Sequence, residues 1–331
     1  MSIVTKELDK KDWKILQHLC TNARQSHNKL GKLVGLSKNS VTYRVERLVE
    51  RGVISGFFSI IDSVALGFYS YTMLLRISST AGREKEFVDY LKGHPNVKVL
   101  DKLLGEWNFI IEAGFKGCPE FNSFLEDLKS KFSDIIDVYE VHFPTQSYNS
   151  EGRQLPMVVE EENPAAKKTP HTKKHQAADN MDMRLLRLLD SDSSSQLLEL
   201  GGKLGLTYET VSARIKRLLE SGVIKKFTAK ISLPALGYEV YLILMECRNL
   251  SKEKEQMLQS YINAQKNVRH SFLSATRPTL FLYLPVKSAA DLNKSLSAIK
   301  ERFSDVIVSQ KYLLSTAQLK YQLFPEGFLK N

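Results

Sequence analysis

The sequence is poor in the features that mark secreted, metal-binding or membrane-spanning proteins. It has three cysteines, Cys20, Cys118 and Cys247, which are odd in number and far apart. Such cysteines are typical of reduced, packed thiols rather than a disulfide framework or a zinc cluster. No apolar run approaches the ~18 residues of a membrane helix, and the charged start of the chain lacks the apolar stretch of a secretory signal. We therefore expect a cytoplasmic protein with no membrane partner, no metal and no cofactor.

Enzyme motifs are scarce as well. The sequence shows no phosphate-binding loop, no dinucleotide glycine motif and no pairing of a nucleophile with a base. What it does have is positive charge: a net charge of +10 over 331 residues, with a pI of about 9.3. An excess of this size indicates an anionic partner, either nucleic acid or anionic lipid.

Residues 30–48 have the pattern of a helix-turn-helix. Gly35 can supply the turn, because a residue without Cβ enters the left-handed region at little cost. Ser37 stands where a helix N-cap is expected. Beyond it, Val41, Val45 and Leu48 recur at helical spacing and form one apolar stripe.

The opposite face of this second helix carries the groups that reach base edges and phosphates in a major groove. They are Asn39, Ser40, Thr42, Tyr43, Glu46 and Arg47. Taken alone, such a helix is equally compatible with an ordinary amphipathic surface helix.

The pattern occurs twice, which favours the DNA-binding interpretation. Residues 200–218 repeat residues 30–48 at an offset of 170, with Gly205 matching Gly35 and Thr207 matching Ser37. The match extends to Gly52-Val53-Ile54 and Gly222-Val223-Ile224. Self-similarity at so long a period indicates a duplicated domain rather than a short-repeat solenoid.

Each copy continues from three helices into a predicted strand pair, a β-wing at Val53–Ile61 in the first copy, and then into the order β-α-β-β-α-β of a ferredoxin-like fold. The predicted fold class is α+β: two copies of a winged helix-turn-helix plus a ferredoxin-like domain, joined by a flexible linker. One face of each four-stranded sheet lacks helices, and we expect the two copies to bury these faces against each other. The predicted domain and linker bounds are residues 1–62, 66–150, 151–178, 179–232 and 236–331.

The linker at 151–178 has charge runs, three prolines and no apolar periodicity. His171 and His175 stand at a spacing that could hold a metal on a helix. No further ligand is near them in the sequence, so a solvated tail is the favoured interpretation.

The run Arg44 to Ile54, repeated at Arg214 to Ile224, together with Gly-Leu-Ser before the recognition helix and the βαββαβ order behind it, resembles the Lrp/AsnC family. This family comprises the leucine-responsive, or feast/famine, transcriptional regulators. The resemblance covers nearly the whole chain twice. It implies a sequence-specific DNA-binding regulator that acts as a covalent pseudo-dimer on double-stranded DNA and can assemble further into homo-oligomers.

The resemblance also implies a small-molecule effector, such as an amino acid, bound at a Gly-x-Tyr-Asp loop. The first copy has Gly105, Trp107 and Asn108 there, and the second has Thr276-Arg277-Pro278-Thr279. Loss of the acid removes a partner for an ammonium group, so the first site is weakened and the second is expected to be lost. For Trp107 the favoured alternative is packing in a core or interface.

The two predicted helix-turn-helix copies, here called readers, differ in net charge and in the outward side chains of their recognition helices. Residues 1–60 hold eleven Lys or Arg against five Asp or Glu, a net charge of +6; residues 179–230 hold nine against seven, a net charge of +2. Since the outward residues differ, with Glu46 opposed to Lys216, we predict an asymmetric operator. The predicted DNA-binding residues are Lys38, Asn39, Ser40, Thr42, Tyr43, Arg44, Arg47, Thr207, Tyr208, Glu209, Thr210, Ser212, Arg214, Lys216 and Arg217.

Two other classes of function stay open at this point. Sirohaem decarboxylases resemble Lrp/AsnC proteins and use His, Tyr and Arg residues; this sequence has His270, but its first copy has no histidine there, and Trp107-Asn108 is only a faint echo of their motif. The other class is an interaction module whose helices no longer contact DNA.

Overall fold

The computed structural model describes residues 8–78, 80–148, 154–156 and 178–329. Nearly all of the predicted linker, with His171 and His175, lies outside these residues. The chain divides into two compact units, each built from both copies. One contains the described residues up to 66 and between 154 and 238, here called the helix-turn-helix unit. The other contains the described residues 67–148 and 239–329, here called the sheet unit. Among the described residues, no helix has the length and apolar character needed to cross a membrane.

The helix-turn-helix unit holds three helices from each copy. In the first copy they are α1 (Lys10–Thr21), α2 (His27–Val34) and α3 (Lys38–Glu50), as the apolar periodicity predicts. In the second copy they are α6 (Asn180–Ser191), α7 (Leu197–Leu204) and α8 (Tyr208–Glu220). The buried residues of α3 are Val41, Val45 and Leu48, so the stripe predicted from the sequence faces the core.

The β-wing prediction was wrong in its pairing. Residues Ile54–Ile61 form one strand, β1, and its partner is strand β7 (Ile224–Ile231) of the other copy, not a neighbouring strand of its own hairpin. The two strands run antiparallel, with Phe58 opposite Thr228. The segment lacks a two-residue Asn-Gly or Asp-Gly turn that would fold it back on itself. The backbone N–H and C=O groups of β1 form their hydrogen bonds with β7 instead.

The pairing joins the two copies into one core. Ala229 and Ile231 of β7 pack with the buried helix residues of the first copy, among them Leu16, Leu30 and Leu48. Reciprocal backbone hydrogen bonds reinforce it, since Ala23 N–H donates to the Phe227 carbonyl and Ser193 N–H donates to the Phe57 carbonyl, each at 3.0 Å. The two copies are thus related by pseudo-twofold symmetry within this unit.

The sheet unit has the predicted β-α-β-β-α-β order in each copy. The first copy contributes β2 (Tyr69–Ile77), α4 (Ala81–Gly93), β3 (Val97–Leu104), β4 (Phe109–Phe115), α5 (Cys118–Phe132), β5 (Ile136–His142) and β6 (Pro144–Tyr148). The second contributes β8 (Glu239–Cys247), α9 (Lys252–Ala264), β9 (His270–Ser274), β10 (Leu280–Val286), α10 (Ala289–Arg302) and β11 (Ile307–Tyr321).

The last strand of each copy crosses to the other copy. Strand β6 pairs with β9, and β11 pairs with β3 over Leu314 to Tyr321, so the described strands form one sheet in the order β5-β2-β4-β3-β11-β8-β10-β9-β6. Strand β11 is 15 residues long, from Ile307 to Tyr321, and its second half extends beyond its pairing with β8. The sequence shows no stop signal there, and the exposed edge of β3 supplies the partner for the extra ladder.

The helix-free faces of the two halves pack on each other, as predicted. Leu74, Leu103 and Ile110 of the first copy form one core with Leu242, Leu244, Phe281 and other residues of the second. Two separate clusters fill the spaces under the helices. Burial of this kind stabilises at roughly 25 cal/mol per Å² of apolar surface, so the duplicate takes the place of the second subunit of a dimer.

Candidate nucleic-acid interface

The turn between α2 and α3 is fixed by two glycines and a cap. Gly35 ends α2 in the left-handed region, with φ 67° and ψ 51°. A Cβ on Gly31 would lie 2.5 Å from the Leu36 carbonyl oxygen, so this position admits no side chain without a backbone shift. The Ser37 hydroxyl accepts a hydrogen bond from Ser40 N–H at 3.2 Å, which starts α3. The second copy repeats the geometry at Gly205, Gly201 and Thr207.

Both recognition helices present the same pattern of exposure to solvent. In α3 the exposed predicted residues are Lys38, Asn39, Ser40 and Tyr43. In the second copy they are the N-cap Thr207 and, within α8, Tyr208, Glu209, Thr210 and Lys216. Tyr43 leaves 64% of its surface accessible and Tyr208 leaves 52%, although both are aromatic. Thr42 and Ser212 are half-buried, and the Thr42 hydroxyl is already bonded to the Lys38 carbonyl and the His27 ring.

The four arginines that were predicted to bind DNA form hydrogen bonds with aspartates of the protein, unlike the exposed residues above. Arg44 donates to Asp9 and Asp12 at 2.7 Å each, and Arg47 donates to Asp12 at 2.8 Å. Arg214 makes the equivalent bonds to Asp179 and Asp182, and Arg217 donates to Asp182. The carboxylates of Asp12 and Asp182 are almost fully buried, with 1% exposed.

These ion pairs tie the recognition helix to the first helix of each copy. The hydrogen bonds to Asp9 and then Asp12 raise the pKa of Arg44, and the matching bonds to Asp179 and Asp182 raise the pKa of Arg214. The guanidinium groups therefore hold α3 and α8 in place. Contact of these four arginines with DNA stays a prediction, and the structure supplies them with carboxylate partners inside the protein.

The aspartates that bind these arginines are the functional residues that sequence reasoning missed. Asp9 and Asp12, like Asp179 and Asp182, form a capping box at the start of the first helix. The signal was present, because the spacing of both acids and both arginines is identical in the two copies. Arg24 was also missed. Its guanidinium donates to the carbonyls of Ser193 and Ser195 in the other copy, at 2.6 and 3.0 Å.

The predicted effector residues lie in the tight turn between β3 and β4. Trp107 is 5% exposed and packs in the core that the helix-free faces of the two copies form together. The Asn108 side chain accepts the Ile77 N–H at 2.8 Å. Gly105 has φ 141°, and a Cβ there would lie 2.5 Å from Leu313 Cδ2. This geometry favours the packing alternative for Trp107, and effector binding at these residues stays a prediction.

The fold and the exposed helices define a winged helix-turn-helix protein of the DNA-binding type. A family model described as winged helix-turn-helix DNA-binding matches residues 8–55 and 179–225. The chain is 30% identical over 126 residues to the HTH-type transcriptional regulator FL11 of Pyrococcus horikoshii, covering 38% of this chain and 81% of that protein. It is 31% identical over 131 residues to the HTH-type transcriptional regulator AldR of Mycobacterium tuberculosis, covering 39% and 73%. The chain belongs to the Lrp/AsnC family of transcriptional regulators, with the family's subunit present twice.

Over its full length the fold is shared with an enzyme. The crystal structure of the sirohaem decarboxylase NirDL aligns over 97% of this chain and 96% of that chain with a TM-score of 0.64. The sequence identity is 15%, so the likeness extends to the fold alone.

Proposed function

We propose that this regulator binds double-stranded DNA as a covalent pseudo-dimer and reads an asymmetric operator through two unlike recognition helices. The observation that carries the proposal is the joining of both helix-turn-helix copies through the β1–β7 ladder. Two readers in one rigid core can meet one stretch of duplex in a fixed spacing, as the two halves of a dimeric helix-turn-helix protein do. A cytoplasmic location is part of this proposal.

The exposed residues of α3 and α8 differ, so the two helices are expected to bind DNA half-sites of different sequence. Asn39 can donate to and accept from adenine, whereas Glu209 at the matching position can only accept, for example from the amino group of cytosine. Glu46 and Lys216 have opposite charges, and Tyr43 is matched by Ala213. A homodimer with identical helices reads a palindrome; unlike helices remove that requirement.

The two copies also differ in the number of exposed lysines that can attract DNA phosphates. Lys29, Lys32 and Lys38 of the first copy are exposed, and their counterparts in the second copy are Glu199, Gly202 and Tyr208. Each phosphate contact contributes about −0.9 to the slope of log affinity against log salt. The first copy therefore carries the larger part of the electrostatic affinity.

Selection from a library of random duplexes tests the proposal. The wild-type chain is expected to select two unlike half-sites. The matched variant carries K38Y, N39E, S40T, T42S, Y43A and E46K, which give α3 the predicted contact side chains of α8. It is expected to select a palindrome of the second half-site. A perfect palindrome selected by the wild type would contradict two distinct readers. No selection by either protein would contradict DNA binding itself.

A sirohaem-decarboxylase-like activity is the second candidate, because the full-length fold match favours it. The polar residues between the sheets include Lys98, whose ammonium donates to Glu112 at 2.6 Å and to Ser70 at 3.0 Å. Burial lowers the pKa of the nearby His270, against the charge of Glu112. The named relatives that match at 30% identity or more are regulators, which favours a non-enzyme. A change in the sirohaem absorbance on adding the protein would reverse that preference.

An amino-acid effector and assembly of several pseudo-dimers are further parts of the proposal. Both are tested by sedimentation of the chain with and without a panel of amino acids. A constant monomer mass under all conditions would contradict the assembly, and with it an effector that acts by changing the assembly.

A further inference from the structure

A cavity of about 460 Å³ lies beside the recognition helix of the first copy. Its apolar lining includes Leu19, Val45, Val49 and Phe57. Its polar lining includes Glu46 and Glu50 of α3 and the His27 ring, which is hydrogen-bonded to the Thr42 hydroxyl. Ser194 reaches its edge from the other copy. Neither Glu46 nor Glu50 forms an ion pair with another described residue, so the cavity has negative charge on one side and an aromatic ring on another.

The pseudo-twofold axis gives this cavity a counterpart in the second copy, and there the space holds a side chain. Residue 24 of the first copy is the counterpart of residue 194, and residue 227 is the counterpart of residue 57. The Arg24 guanidinium carbon lies 5.4 Å from the centre of the Phe227 ring. Its donors reach the Ser193 and Ser195 carbonyls. A guanidinium is thus bound by a ring and two backbone oxygens.

Burial around the two rings agrees with this difference. Phe227, beneath Arg24, is 6% exposed, whereas Phe57, beside Ser194, is only half-buried. The carbonyls that bind Arg24 have counterparts at Ala23 and Gln25 in the first copy. Desolvation lowers the pKa of Arg24 and the charge of Asp192 opposes that effect. In the first copy Asn22 replaces Asp192, and Glu46, in place of Lys216, adds a negative charge at the cavity.

We propose that the cavity beside α3 binds a small organic cation that has a guanidinium head and an aliphatic body. The head takes the place that Arg24 fills in the second copy, over the Phe57 ring, where a cation is attracted by the ring face. The carboxylates of Glu46 and Glu50 balance its charge, and the planar donors suit carboxylate and carbonyl oxygens. The aliphatic body covers Leu19, Val45 and Val49. Because both carboxylates belong to the recognition helix, the ligand neutralises charge on the element that is proposed to read DNA.

The probe for this site is n-butylguanidinium, with n-butylurea as its neutral isostere. The full chain is labelled at leucine and valine methyl groups and titrated while NMR shifts are followed. We expect saturable shifts of the Leu19, Val45 and Val49 methyls at millimolar concentrations of the cation, and none with the urea. Equal shifts with both compounds would overturn the proposal, because they would show a site without preference for a cation.

Variants of residue 194 test the geometry. Ser194→Arg supplies the side chain that fills the counterpart, so we expect it to remove the saturable shifts, whereas Ser194→Ala is expected to keep them. Glu46→Gln is expected to weaken binding of the probe about twofold to fivefold, because it removes one exposed charge partner. Unchanged binding in Ser194→Arg, checked to be folded by its methyl spectrum, would refute the site.

The reciprocal variant gives an independent measurement. Arg24→Ser empties the counterpart cavity, and the probe is expected to shift the methyls of Leu189 and Leu219 as well. Since Lys216 stands there in place of Glu46, this second site should bind more weakly than the first. Absence of any response at Leu189 and Leu219 in a folded Arg24→Ser chain would contradict the inference that this space accepts a guanidinium.

Discussion

Replacement of Arg44 by methionine separates a structural role from a DNA contact. Methionine keeps much of the aliphatic volume and removes the guanidinium. The hydrogen bond to Asp12 is lost next to a carboxylate that is 1% exposed, which costs about 1.5–3 kcal/mol. The bond to Asp9 is lost at a carboxylate that is 51% exposed, and solvent screening limits its share to about 0–1 kcal/mol. We therefore expect a loss of about 1.5–4 kcal/mol in the free energy of unfolding of the helix-turn-helix unit.

The assay uses the two tryptophans of the chain. Trp13 lies in α1 of the helix-turn-helix unit and Trp107 lies in the sheet unit. In a Trp107→Phe background, fluorescence during urea unfolding reports on Trp13 alone. The matched control is Arg214→Met, whose bonds to Asp179 and Asp182 have lengths of 2.8 and 2.7 Å and which should lose a similar amount. An unchanged urea midpoint together with tenfold weaker DNA binding would refute the structural role and assign the arginine to DNA.

Three further predictions concern a buried histidine, a strained glycine and the exposed lysines of the first copy. Burial lowers the pKa of His142 to about 4. Below pH 6.5 the unfolded histidine takes up a proton and the folded one does not, so stability falls by up to about 3 kcal/mol as the pH drops from 6.5 towards 4. The urea midpoints of the wild type and His142→Asn should therefore converge at low pH. Gly105→Ala should destabilise the sheet unit by about 1–3 kcal/mol, because of its φ and the contact with Leu313, whereas Gly82→Ala in α4, with open space around it, should be neutral or stabilising in the same thermal melt. Changing Lys29, Lys32 and Lys38 to Gln should lower the salt slope of operator binding by about 2–3, and an equal loss from Lys203→Gln and Lys216→Gln would contradict the unequal charge of the readers.

Local patterns were sufficient to predict the helices and the strand order. The stripe of Val41, Val45 and Leu48 and the turn at Gly35 are short-range signals, and the structure has both where expected. The repeat at an offset of 170 predicted that the two sheets bury each other. These features depend on periodicity, capping and apolar burial, which a single sequence shows directly.

Pairing over long distances was not predictable in the same way. Strand β1 has a partner about 170 residues away. The lack of an Asn-Gly or Asp-Gly turn in residues 53–61 argues against a local hairpin, but it does not identify that partner. The carboxylate partners of the arginines were not predictable for a related reason. Helical spacing places Arg47 on the outer face of α3, but it does not show that α1 brings Asp12 against that face. Tertiary neighbours decide whether a charged group meets solvent, DNA or a buried carboxylate.

Duplication followed by divergence explains why the informative residues are those that differ between the copies. The core positions are apolar in both copies and the Asp–Arg pairs are identical, because each copy needs them to hold its recognition helix. Asn39 and Glu209, or Ser194 and Arg24, face solvent or the other copy and have no such constraint. In a homodimer any change at these positions occurs on both sides at once. A fused chain can change one side only, so one helix can acquire a different base preference and one cavity can stay open while its counterpart is filled from within.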